Sequence, residues 1–265
     1  MLRLSAPLLK PLLAFASLSA LGACATMGGA TATQSNLSPA DRDARAAIGR
    51  EDTLSQMTFW ADQYTRNPQD LEASQRFAET LRVGGRADRA AQIAQESLQR
   101  HANDPALMRT LGLSLIATGR ANDALRPLAL LAQADAQDWR ARSSLGIALD
   151  DVGRNAEARR AYQEALAIQP NDPGVLTNLG VSHILTGDAA EAERVLRMAI
   201  DQPNAPPEAR QNLALALGLQ GRFDEAERLQ RVDLPPALVA QNMAFIRGLF
   251  SDPRRWQDMR QTRTN

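Results

Sequence analysis

Glycine recurs at a fixed interval of 34 residues in this chain, at Gly85, Gly119, Gly153, Gly187 and Gly221. Alanine keeps step with it at Ala90, Ala124, Ala158, Ala192 and Ala226, and Asp70, Asp104, Asp138 and Asp172 share the same period. Chance does not place five glycines and five alanines in one phase. One supersecondary unit is therefore repeated along the chain. Such a unit cannot bury its apolar face alone, so the chain is confined to an array of stacked neighbours.

The stretch from Trp139 to Asp172 shows the unit most fully. It reads as helix A, a turn at Gly153-Arg154, helix B, and a break at Pro170-Asn171-Asp172. The aspartate opens helix A as an N-cap, its carboxylate accepting a backbone N–H of the first turn. Pro105 and Pro173 follow two of these aspartates, where the missing N–H costs nothing. The glycine ends helix A because the reversing residue takes the left-handed conformation. The alanine marks the place on helix B where two helix backbones approach closely. Leu145, Gly146 and Leu149 on helix A face Tyr162, Ala165 and Leu166 on helix B.

Those residues, with Gly153, Ala158 and Pro170, resemble the tetratricopeptide repeat in both period and order. The resemblance implies an all-α fold: a right-handed superhelix, or α-solenoid, of helix pairs that binds other proteins. Regular repeats are expected at 71–104, 105–138, 139–172, 173–206 and 207–240. The array as a whole is placed at 39–250, with a degenerate first repeat in which Glu51 stands where the turn glycine belongs. Its second helix offers Leu54, Met57, Trp60, Ala61 and Tyr64 as an apolar set. Asp233-Leu234-Pro235-Pro236 cuts the last helix B short, and 236–250 reads as a closing helix. A polar tail, 251–265, follows, with Trp256 expected to pack back on that helix.

Charge and cysteine content bound the partners. The chain carries 30 basic and 30 acidic side chains, and so has no basic excess to attract nucleic acid. Cys24 is the single cysteine, which excludes an internal disulfide and a cysteine metal cluster. Its setting is informative. Residues 1–23 carry Arg3 and Lys10, then an apolar run from Leu12 to Leu21 that is shorter than the ~20 residues a membrane-spanning helix needs. The run ends in Leu21-Gly22-Ala23-Cys24, which resembles a bacterial lipobox. That resemblance implies a signal peptide cleaved before Cys24, a diacylglyceryl group on the Cys24 thiol, and membrane attachment through this lipid. Residues 24–38 are small and polar, a lipidated flexible tether with a span of roughly 20 Å. Ala25 rather than aspartate after the cysteine points to the outer membrane, facing the periplasm.

No catalytic constellation, cofactor motif or metal site is present in the sequence, and the chain reads as a non-enzyme. His101 falls in an inter-repeat bend, where it is expected to be solvated, and His183 in a column of leucines. The acidic pairs Asp150-Asp151 and Asp224-Glu225 fall at turns and helix starts, where solvent or the helix dipole accounts for them. Helix A is apolar on two faces. Its second face carries Thr110 and Leu113, then Arg140, Ser144 and Ile147, then Asn178 and Val181, then Asn212 and Leu215. By resemblance this face lines a peptide groove, with the apolar ladder holding an amphipathic helix and the amides an extended backbone. The groove starts with charge, at Glu72, Arg76 and Glu79. It lacks the paired lysines and arginines by which chaperone-binding members of the family clamp a terminal carboxylate.

A narrower resemblance covers about residues 205–250. Arg210-Gln211-Asn212-Leu213-Ala214-Leu215, Gly221-Arg222-Phe223, Asp233-Leu234 and Asn242-Met243-Ala244-Phe245-Ile246-Arg247 are similar to the TadD-like lipoproteins of Tad (Flp, tight-adherence) pilus systems. It implies a scaffold that places or assembles the outer-membrane secretin. Two other roles fit an anchored array of repeats: regulating a peptidoglycan synthase, and serving outer-membrane barrel assembly.

Overall fold

The computed structural model describes residues 38–251, and these form thirteen α-helices. The proposed signal peptide, Cys24, nearly all of the tether and nearly all of the tail, Trp256 included, lie outside the described residues. The described chain divides into two compact units, one ending at Asp135 and the other starting at Ala136. The first holds α1 (Pro39–Ile48), α2 (Thr53–Arg66), α3 (Leu71–Val83), α4 (Ala87–Leu98), α5 (Pro105–Ala117) and α6 (Ala121–Ala134). The second holds α7 (Trp139–Asp151), α8 (Asn155–Ile168), α9 (Pro173–Leu185), α10 (Ala189–Ile200), α11 (Pro207–Leu219), α12 (Phe223–Asp233) and α13 (Pro236–Ser251). Within each unit, helices adjacent in sequence pack together, and alternate helices touch as well. The expected all-α architecture of consecutive tetratricopeptide-type helix pairs is what forms. Among the described residues no helix is long and apolar enough to cross a membrane.

Local chemistry sets the helix ends. The side chains of Asp70, Asp104, Asp138 and Asp172 accept backbone N–H groups of Ala73, Leu107, Ala141 and Val175 at 2.9–3.0 Å. Gly153 takes φ 79°, and the other four in-phase glycines adopt the same left-handed turn. The breaks between pairs use asparagine for the same purpose, with φ 60–62° at Asn103, Asn171 and Asn204.

The close approaches also follow the sequence. All five in-phase alanines are fully buried. Gly146 on α7 lies directly under the Tyr162 ring of α8, and a Cβ there would sit 2.4 Å from Tyr162 Cε1. An aromatic ring cannot fold away as a flexible side chain can. Gly146→Ala should therefore overpack this pair and cost roughly 1–3 kcal/mol, read as a lower melting temperature at unchanged helicity. A melt equal to the parent's would show that α7 and α8 are not in this register.

Two cores result. Trp60, Phe77, Leu81, Ile93 and Leu107 centre the first unit. Leu196, Leu213, Leu215, Met243 and Ile246 belong to that of the second. Leu54, expected on the apolar face of α2, is 65% exposed instead, since only Trp60 of that helix is fully inserted.

Candidate protein-binding surfaces

The predicted groove residues are placed mainly inside the protein. In the first unit Thr110 is buried and its hydroxyl donates to Glu79 Oε2 at 3.3 Å, while Leu113 is half-buried. In the second unit Arg140 alone is exposed, its guanidinium 4.3 Å from the Trp139 ring centroid. Ser144 is buried and donates to the Arg140 carbonyl at 2.8 Å. Ile147, Asn178, Val181, Asn212 and Leu215 are all buried. Val181 and Leu215 share one core with Ile246 because α9, α11 and α13 lie against one another in sequence. Their second apolar face is helix-to-helix core, not a lining open to a ligand.

The acidic pair at 150–151 also differs from expectation. Asp150 is buried at 4% exposure, not solvated at a turn. Its Oδ1 accepts from Asn155 Nδ2 and from Ser182 Oγ, both at 2.8 Å, and its Oδ2 accepts from the Tyr162 hydroxyl at 3.1 Å. One carboxylate thus joins α7, α8 and α9. Burial pushes its pKa up from the usual 3.8 to about 6, although the three hydrogen bonds and the charge of Arg159 favour the ionised form. His183 is half-buried with Nδ1 3.6 Å from Asp188 Oδ2, and burial holds its pKa below the ordinary value. His101 is half-buried too, not free in solvent.

A surface cleft lies at the start of the first unit. Its volume is about 410 Å³, and it is lined by Arg42, Arg45, Ala46 and Gly49 from α1 and its end, Gln56 and Trp60 from α2, and Glu72 and Arg76 from α3. Helix α1 has no fully buried residue; Arg45 docks it, together with the half-buried Ile48, which packs against the core. The Arg45 guanidinium donates to Gln63 Oε1 at 3.1 Å, to Glu72 Oε2 at 2.9 Å and to both oxygens of Asp70, and lies 5.5 Å from the Trp60 ring centroid. Burial opposes the charge on Arg45, but the bonds to Asp70 and Glu72 outweigh it and raise its pKa. Asp70, the α3 cap, is held below the usual carboxylate range: Arg45 and the Ala73 N–H outweigh its own burial. Sequence reading placed Arg76 at a charged groove entrance but missed Arg42, Arg45 and Trp60. Among the described residues no cluster of three or more His, Cys, Asp and Glu could hold a metal ion.

Paired helices with in-phase caps and turns define an array of tetratricopeptide-type repeats, the architecture of scaffolds that bind other proteins. Profiles of the tetratricopeptide repeat match residues 109–173, 151–208 and 208–234. Solved structures agree at the level of fold. TTC0263, a thermophilic TPR protein of Thermus thermophilus, is similar over 66% of this chain and 97% of its own, at 22% identity and a TM-score of 0.59. MamA of Desulfovibrio magneticus RS-1 is similar over 61% of this chain and 91% of its own, at 19% identity and a TM-score of 0.54. No curated protein matches the sequence.

Proposed function

We propose that this protein is a lipid-anchored scaffold of the outer membrane that aids Tad/Flp pilus biogenesis by placing or assembling the secretin. The anchor rests on one observation: the chain's single cysteine, Cys24, directly follows Leu21-Gly22-Ala23 at the end of a signal-like segment. The pilus role rests on the resemblance of residues 205–250 to TadD-like lipoproteins. In this chain those residues build the closing helices. Arg210 donates to Asp233 at 2.6 and 2.7 Å, tying α11 to the end of α12, and Arg247 of α13 lies 5.6 Å from the Phe223 ring centroid. Their part in the proposal is to end the array, which leaves partner contact to other surfaces.

Affinity capture from detergent-solubilised membranes tests the reading, together with Cys24→Ser. The parent should bring down the secretin, and mass spectrometry should find an acylated Cys24 as the mature amino terminus. Cys24→Ser should be unacylated and lost from the outer-membrane fraction. Recovery of a peptidoglycan synthase or barrel-assembly component in place of the secretin would replace the pilus role. An unmodified mature terminus other than Cys24 would remove the anchor.

A further inference from the structure

We propose that the cleft between α1, α2 and α3 binds an acidic segment of a partner protein, its side-chain carboxylates held by Arg42 and Arg76 beside Trp60. The inference rests on the protein-binding reading but not on the pilus assignment.

Several surface arginines of this chain are neutralised locally. Arg66, Arg82, Arg120, Arg154, Arg194 and Arg231 each form an ion pair with an acid three or four residues away on their own helix or at its start. Arg76 has two such neighbours on α3, Glu72 four residues earlier and Glu79 three residues later, and Glu79 pairs with Arg82 at 2.6 Å. Glu72 turns instead to Arg45, at 2.9 Å. Arg45 and Arg82 thereby take the two acids that could have neutralised Arg76. Arg42 has no acid three or four residues away on α1. Among the described residues neither Arg42 nor Arg76 has a side-chain hydrogen bond or ion pair, yet both line the same cleft.

Charge accounting gives the ligand its sign. Arg45 is matched by Asp70 and Glu72, which leaves one net negative charge in the docking cluster. Arg42 and Arg76 add two positive charges, so the lining is net cationic. Guanidinium groups bind carboxylates through two parallel N–H···O bonds, a geometry that water does not reproduce. Ala46, exposed on α1, gives the cleft an apolar contact for the aliphatic part of a glutamate, and Trp60, 3% exposed, only floors it. A cleft of about 410 Å³ holds one or two residues of an extended chain, not a folded domain.

The test uses the detergent-solubilised full chain and three short peptides, followed through the arginine side-chain N–H resonances. One is blocked at both ends and carries two glutamates, the second has glutamines in their place, and the third is the glutamine peptide with a free carboxyl terminus. The glutamate peptide should bind at least about tenfold more tightly than its glutamine counterpart, shift the Arg42 and Arg76 signals, and weaken with added salt. Arg42→Gln and Arg76→Gln should each reduce its affinity about tenfold, the loss expected for one charged hydrogen-bonding group. Both residues are exposed, so the melting temperature should stay at the parental value. Equal binding of the glutamate and glutamine peptides would overturn the proposal, as would glutamate binding that survives the double substitution. Tightest binding of the free-terminus peptide would overturn the side-chain form and assign the cleft to a chain end. Secretin capture and peptide binding can fail separately, so each reading stands or falls by itself.

Discussion

Val181→Glu should unfold much of the carboxy-terminal unit. Val181 is fully buried on α9 in the core that includes Leu215 and Ile246, and that helix is enclosed along most of its length. With no exposed surface at Val181, a carboxylate there would be cut off from water. It either stays charged in an apolar core or takes up a proton, and both states cost free energy. The larger side chain adds overpacking. The combined cost should exceed about 4 kcal/mol, the range reached only by buried charges and comparable core defects. For a unit of this size that lowers the melting temperature by about 10 °C or more, with loss of helical circular dichroism near the transition. Val181→Ala serves as the control and should lose only about 1–3 kcal/mol. A parental melt for Val181→Glu would mean that the second face of helix A is open after all.

Asp150 should make stability fall as pH rises, opposite to the usual carboxylate. Its folded pKa of about 6 lies above the unfolded value of 3.8, so the folded chain holds a proton that the unfolded chain has released between those values. Stability from this site is complete below about pH 4 and is lost progressively up to about pH 6. The loss approaches 3 kcal/mol, at about 1.4 kcal/mol per pH unit. Other acids act the other way. Glu193, half-buried but held by Arg197, Gln220 and Arg222, has its pKa lowered to about 2, so its contribution is present above pH 4.5 and lost on further acidification. Asp150→Asn isolates the first effect. The amide oxygen can still accept from Asn155 and Ser182, and the amide N–H can donate to the Tyr162 oxygen. The variant should melt higher than the parent at pH 8, with the gap closing toward pH 4. Parallel curves across that range would show that Asp150 is solvated.

What could be read from sequence was what neighbouring residues decide among themselves. An N-cap needs an acceptor three residues from its donor, and a left-handed turn needs glycine at one position. Asp138 and Gly153 met those needs, and the structure uses them so. The second face of helix A was misread because its fate depends on the next helix A, 34 residues away. Periodicity shows that Ile147, Val181 and Leu215 share a face, but not whether another helix covers it. Asp150 carried only a partial signal: it stands in phase with Ile116 and Ile184, but Arg82 and Gly218 share the column, so a charge there did not stand out. Arg45 carried none. Its partners are 18 to 27 residues distant, and only the docking of α1 brings them together.

The way α1 is attached has a mechanical consequence. The other helices are fastened by buried side chains, which slide apart only when a core opens. α1 is fastened by ion pairs and one ring contact gathered on Arg45, with the half-buried Ile48 at its end as its apolar contact with the core. A pull on the amino end of this helix therefore loads those bonds first, and they yield before any hairpin is disturbed. When they yield, one wall of the cleft leaves with α1 and Glu72 becomes free to pair with Arg76. The amino-terminal helix is the fuse of the array: tension there would empty the cleft and leave the stacked pairs intact.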